Sequence, residues 1–146
     1  MDEAERLWNE GNARAAGKLL FERLAPEDRP NWAGAVLFAA TVGMDLPKEV
    51  NEVFRCCFAP AAWPEAKEAF QAVRGLSRQP QDVVETGMLL LAENCAKVAY
   101  NASNPADPFD ANAGELVAAC AADLLRHRGG AQELSNLIRA AVFFLY

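Results

Sequence analysis

The chain has a single histidine, His127, and this scarcity removes several kinds of active site. A metal site built from several histidines is excluded, and a Ser–His–Asp arrangement would depend on this one residue. His127 stands between Arg126 and Arg128 in the predicted last turn of a helix, where the helix dipole favours a cation. We therefore interpret His127 as a helix-end residue, with a place in a pocket as the alternative.

Motifs that carry chemistry are also missing from the sequence. The chain has no glycine-rich phosphate loop, no nucleophile elbow and no His-Glu-x-x-His pattern. Its four cysteines, Cys56, Cys57, Cys95 and Cys120, lack the spacing of a metal or redox motif, so we predict reduced and buried thiols. We assign no catalytic residue, no metal and no cofactor, and we favour a binding protein over an enzyme.

Positive charge and long apolar runs are scarce. The chain has 14 lysines and arginines against 20 acids, and its net charge is −6, so nucleic acid is not an expected partner. No stretch of about 18 uncharged apolar residues is available to span a bilayer. The acidic start, Met-Asp-Glu-Ala-Glu-Arg, is unlike a signal peptide. We expect a cytoplasmic protein without a membrane partner.

The sequence does contain helical periodicity throughout, and no segment alternates in the way of a half-buried strand. Apolar side chains recur every three or four residues between Val83 and Ser103, which predicts a largely buried central helix. Pro105 and Pro108 require that helix to stop by about Ser103. Asp110 is the predicted N-cap of the next helix, which returns along the first within the segment 104–128.

The rest of the chain also has the apolar spacing, capping residues and stop residues of helices. Asn12 is the predicted cap of a short second helix, and another helix begins near Arg29 and ends before Gly43. Further helices are predicted in 45–76 and after Gly130. We therefore expect an all-α, single-domain bundle of about seven or eight helices over residues 1–146. The apolar C-terminus would pack into the fold or into a homodimer, through Phe143, Phe144, Leu145 and Tyr146.

One stretch near the N-terminus has a more specific pattern. The run Leu-Trp-Asn-Glu-Gly-Asn-Ala-Arg-Ala-Ala, followed by Leu20 and Pro26, resembles the turn and second helix of a tetratricopeptide repeat. The resemblance implies a helical hairpin packed in the manner of those repeats. The pattern does not recur after 34 residues, as stacked repeats require, so we keep it as an alternative to a plain bundle.

The acidic residues are unevenly distributed. The segment from Asp82 to Asp123 contains seven acids and one base, Lys97, whereas the rest of the chain has thirteen of each, so this segment accounts for the whole net charge. We predict an acidic face that binds another, basic protein, as bacterial immunity proteins or adaptors do. Its predicted residues are Glu93, Asp107, Phe109, Asp110 and Glu115.

A small-ligand or enzymatic pocket between the central helix 83–103 and the segment 104–128 is the alternative. Asn94 and Asn101 lie seven residues apart on one predicted helix face, and buried amides need hydrogen-bond partners. The predicted lining is Asn94, Tyr100, Asn101 and His127, with Phe109 as a wall. Glu93 and Lys97, four residues apart, are predicted to form an ordinary surface ion pair.

Overall fold

The computed structural model describes residues 3–45 and 83–127, together with the single helical positions 48, 51 and 55. Within these ranges all regular structure is helical and no strand occurs. The helices predicted in 45–76 and after Gly130, and the proposed dimer contact of Phe143, Phe144, Leu145 and Tyr146, lie outside the described residues. None of the helices in the described ranges is long and apolar enough to cross a membrane.

The N-terminal residues form a helical hairpin. Helix α1 covers Glu3–Asn9 and helix α2 covers Ala13–Arg23. Gly11 makes the turn between them with a φ of 85°, a conformation that glycine adopts without steric cost. The side chain of Asn12 accepts a hydrogen bond from the Ala15 backbone N–H, so the predicted cap is confirmed.

Helix α3 follows a single 3₁₀ turn, Pro26–Asp28, and covers Arg29–Thr41. Trp32 and Leu37 are buried on its inner side, as predicted. Phe38 and Val42, in contrast, are exposed, although the sequence predicted an almost fully buried helix. Val42 lies after the last helical residue, with a non-helical backbone (φ −57°, ψ 131°), so it no longer follows the spacing of the buried stripe.

Helices α4, Val83–Ser103, and α5, Ala113–His127, form the predicted hairpin. Helix α4 ends where the following proline requires it to end. The prediction of Asp110 as N-cap is wrong, because the first helical bond of α5 runs from Leu116 N–H to Asn112 O. Asp110 instead adopts a left-handed backbone with a φ of 50°, a conformation that Asp tolerates better than most residues.

Helix α5 packs against α2, α3 and α4, so it is the most central of the five described helices. Its contact with α2 is close because small residues face the partner helix on both sides. Gly17 of α2 lies against Ala118, and Gly114 of α5 lies against the ring of Phe21. This antiparallel pairing brings the end of α2 close to the start of α5, and it brings Gly11, just before α2, close to Arg126 near the end of α5.

Candidate functional site

The segment between α4 and α5, residues 104–112, is an ordered connection that we call the 104–112 loop. The Asp107 N–H donates to Asn104 O at 3.2 Å, and the Asn104 side chain donates to Tyr100 O at 3.0 Å. The Ala113 N–H donates to Asp110 O at 2.9 Å where α5 begins. These bonds satisfy backbone groups that the end of α4 and the start of α5 leave open.

Asn101, predicted as a pocket residue, fixes this loop. Its Oδ1 accepts a hydrogen bond from the Phe109 backbone N–H at 2.6 Å, and its Nδ2 lies 3.5 Å from Asp110 O. One side chain in the last turn of α4 therefore contacts two consecutive residues of the loop. A side chain that makes a hydrogen bond at this position limits the backbone conformations open to Phe109.

Phe109 is the large apolar residue that the loop presents. Its side chain is 41% exposed, although its backbone is held by Asn101. The ring meets the Tyr100 ring edge to face, with 6.4 Å between centroids, and the Lys97 Nζ lies 5.6 Å from the Phe109 centroid. The edge-to-face ring pair and the cation–π contact are both attractive arrangements. The structure thus brings Tyr100, Asn101 and Phe109 together.

Lys97 lies beneath the loop and joins it to helix α4. Its Nζ is 2.6 Å from Asp110 Oδ2 and 3.8 Å from Glu93 Oε1. The sequence predicted a surface pair of Glu93 and Lys97, but both side chains are largely buried and the shorter contact of Lys97 is to Asp110. The four-residue spacing correctly predicts that Glu93 and Lys97 are neighbours on the helix. It carries no information on whether other elements cover the two side chains.

The remaining predicted face residues differ in their surroundings. Glu115 accepts from Arg14 of α2 at 2.9 Å, and its side chain is mostly buried. Asp107 is exposed and makes no ion pair with any residue of the described ranges. On the 104–112 loop, Asp107 is therefore an exposed acid without a counter-cation in the described ranges, whereas Asp110 is paired with Lys97.

Asn94, the other predicted pocket amide, lies deeper between α4 and α5. Its Nδ2 donates to Leu90 O at 2.9 Å and lies 3.6 Å from Cys120 Sγ. Its Oδ1 is buried and accepts no hydrogen bond from the part of the chain that the structure describes. Burial raises the pKa of the Cys120 thiol to about 11, so this sulfur is protonated and a poor nucleophile near neutral pH.

His127 does not join the other predicted pocket residues. It is exposed at the last position of α5, seven residues beyond Cys120, whereas Asn94 lies opposite Cys120. Seven residues correspond to about 10 Å along a helix axis. Because α4 and α5 are antiparallel, His127 and Asn101 lie toward opposite ends of the hairpin.

Sequence reasoning missed two contacts that shape this site. Arg14 is 101 positions away from Glu115, and no local pattern indicates that pairing. Helical spacing pairs Lys97 only with Glu93, although Lys97 is the one base in the acidic segment 82–123. A single base among seven acids is expected to attract more than one carboxylate, and this could have predicted the contact between Lys97 and an acid of the loop.

The described ranges contain no group of three or more His, Cys, Asp or Glu side chains that could hold a metal ion. No protein-family model, curated protein or solved structure matches the chain. The proposals below are therefore based on the geometry of the chain itself.

Proposed function

We propose that this chain is a non-catalytic protein-binding module, of the immunity-protein or adaptor kind, and that it binds its partner through the 104–112 loop. The observation that carries the proposal is the position of Phe109, whose ring is partly exposed while Asn101 and Tyr100 hold it in place. Aromatic residues held rigidly at a surface lose little entropy when a partner covers them. Phe109 is the proposed anchor.

The partner is proposed to be basic. Asp107 and Asp110 lie on either side of the anchor in the sequence. Asp107 makes no ion pair in the described ranges, and Asp110 is half-exposed although it is paired with Lys97. Lysines and arginines around an apolar pocket would complement this arrangement. Glu93 and Glu115, which we predicted on the same face, contribute indirectly: Glu93 lies beneath the loop, and Glu115 already binds Arg14.

The experiment is an affinity capture of native partners by four forms of the chain: wild type, Phe109→Ala, Asp107→Lys and Asp123→Lys. Asp123 is an exposed acid near the other end of α5, so its variant has the same change in charge as Asp107→Lys. We expect the first two variants to lose the partner and Asp123→Lys to retain it. Capture by the wild type should also weaken as salt is raised, because exposed charges are screened.

Circular dichroism of each variant shows whether the fold is intact before capture is interpreted. Phe109→Ala removes a partly exposed side chain and should change stability little. If Asp107→Lys and Asp123→Lys capture the same partners to the same extent, the 104–112 loop is not the binding surface and the proposal fails.

A second candidate function is supported by Asn94. A buried amide oxygen without a donor is uncommon, and a small polar molecule between α4 and α5 would supply one. Native mass spectrometry of the purified chain tests this candidate. A bound small molecule that is present in the wild type and absent from Asn94→Leu would support it, and an unliganded wild type would reject it.

We also propose that the whole chain forms one bundle of seven or eight helices, with tetratricopeptide-like packing of the first hairpin as the alternative. Helices α1 and α2 do pack against each other. A compact bundle of this length has a radius of gyration of about 15 Å, and an extended stack would exceed it. Small-angle scattering therefore tests the compact bundle against an extended stack of repeats.

A further inference from the structure

Lys97 lies within reach of two carboxylates that differ in their surroundings. The side chains of Lys97 and Glu93 are 12% and 11% exposed, whereas that of Asp110 is 51% exposed. Glu93 is one turn before Lys97 on the same helix, and Asp110 belongs to the 104–112 loop. The nearby Glu93 would therefore stay in place if the loop moved.

A largely buried ammonium group is costly to leave without a counter-charge. Any movement of the loop away from α4 would carry Asp110 with it and break the 2.6 Å contact. The Glu93 carboxylate, 3.8 Å from Nζ, could then be reached by rotation of the lysine side chain alone. Glu93 thus lowers the free energy that loop opening would otherwise require.

We propose that Lys97 exchanges between Asp110, when the 104–112 loop is closed, and Glu93, when it is open. A lysine or arginine side chain of a partner that binds Asp110 would displace Lys97 toward Glu93. The partner's cation would then replace Lys97 as the counter-charge of Asp110. This inference rests on the proposed function, because it describes how the same loop is regulated by a cationic partner.

The proposal differs from a purely structural role in the sign of one substitution, Glu93→Gln. If Glu93, Lys97 and Asp110 only stabilise the closed loop, removing either carboxylate should loosen it. If Lys97 exchanges, Glu93→Gln removes the alternative counter-charge and should tighten the loop, whereas Asp110→Asn should loosen it. Both changes remove one negative charge and keep the shape of the side chain.

Hydrogen exchange of the Phe109 backbone amide measures this opening, because that amide is bound to Asn101 Oδ1 only in the closed loop. We expect exchange about tenfold slower in Glu93→Gln and about tenfold faster in Asp110→Asn, the effect of one charge-assisted hydrogen bond. The control, Asp123→Asn, removes a charge near the other end of α5 and should leave the rate unchanged.

Faster exchange in Glu93→Gln, with an intact fold, would overturn the proposal. If Glu93→Gln fails to fold, Glu93→Asp provides the same test. This variant keeps the charge but moves the carboxylate away from Lys97. Slower exchange is again expected, and faster exchange would again overturn the proposal. No partner is needed, so this result is independent of whether the loop proves to be the binding surface.

Discussion

Gly17 of α2 lies so close to Ala118 of α5 that a Cβ on Gly17 would stand 2.6 Å from the Ala118 Cβ and 2.8 Å from the Glu115 carbonyl oxygen. Carbon atoms in ordinary contact are about 3.5–4 Å apart. The two helices therefore approach each other at a distance that only glycine permits at this position. The contact also fixes where Arg14, one turn earlier on α2, meets Glu115.

The first prediction is that Gly17→Ala destabilises the fold. Overpacking of a core contact costs about 1–3 kcal/mol, and the higher helix propensity of alanine returns up to about 1 kcal/mol. We expect a net loss of about 1–2 kcal/mol in urea unfolding. Gly87→Ala is the matched control, since its Cβ would lie 3.4 Å from Leu124 Cδ1 and 3.8 Å from Leu124 Cβ, which are ordinary contact distances. That variant should be neutral or stabilised, and equal losses in both would contradict the packing argument.

The second prediction concerns the pair Arg14 and Glu115, which joins α2 to α5. Arg14 is exposed, so a double-mutant cycle with alanine at both positions should give a coupling energy of less than about 1 kcal/mol. The coupling should disappear in about 1 M NaCl, where charges are screened within a few ångströms. A coupling that persists unchanged in high salt would show that the contact is not mainly electrostatic.

The third prediction is that Asn101→Ala loosens the 104–112 loop with little effect on global stability. The variant removes the acceptor of the Phe109 N–H, but water can reach this exposed bond and replace it. The free energy of unfolding should fall by less than about 1 kcal/mol, while the Phe109 amide should exchange at least about tenfold faster. Ser103→Ala, an exposed change two residues later, is the control and should alter neither quantity.

The features that the sequence predicts correctly are set by local chemistry. Asn12 caps α2 because its side chain reaches a backbone N–H three residues on, and α4 ends at Ser103 because a proline follows at position 105. The failure at Asp110 is also local in origin. Asp is common both at N-caps and in left-handed turns, and the sequence does not distinguish these two roles.

The candidate site was harder to predict because its contacts are mostly non-local. Asp107, Phe109 and Asp110 could be recognised as residues of a proline-bounded acidic loop. The pairing of Arg14 with Glu115 depends on the close packing of α2 against α5, which Gly17 and Gly114 permit. The burial of Glu93 depends instead on how α4 packs against the neighbouring helices. A count of charges along the chain therefore overstated the extent of the acidic surface.

The fourth prediction uses Cys120, whose thiol pKa is raised from 9.0 to about 11 chiefly by burial. Above pH 9 the unfolded chain loses this proton while the folded chain retains it, so stability should fall as pH rises from 9 to 11. Relative to Cys120→Ala, which lacks the group, the additional loss at pH 11 should be about 2 kcal/mol. Urea unfolding of both proteins at pH 8, 9, 10 and 11 measures the difference, and other titrating groups cancel because the two chains share them. Parallel stability curves would mean that Cys120 ionises as readily in the folded chain as in the unfolded one, and that its contact with Asn94 is open to water.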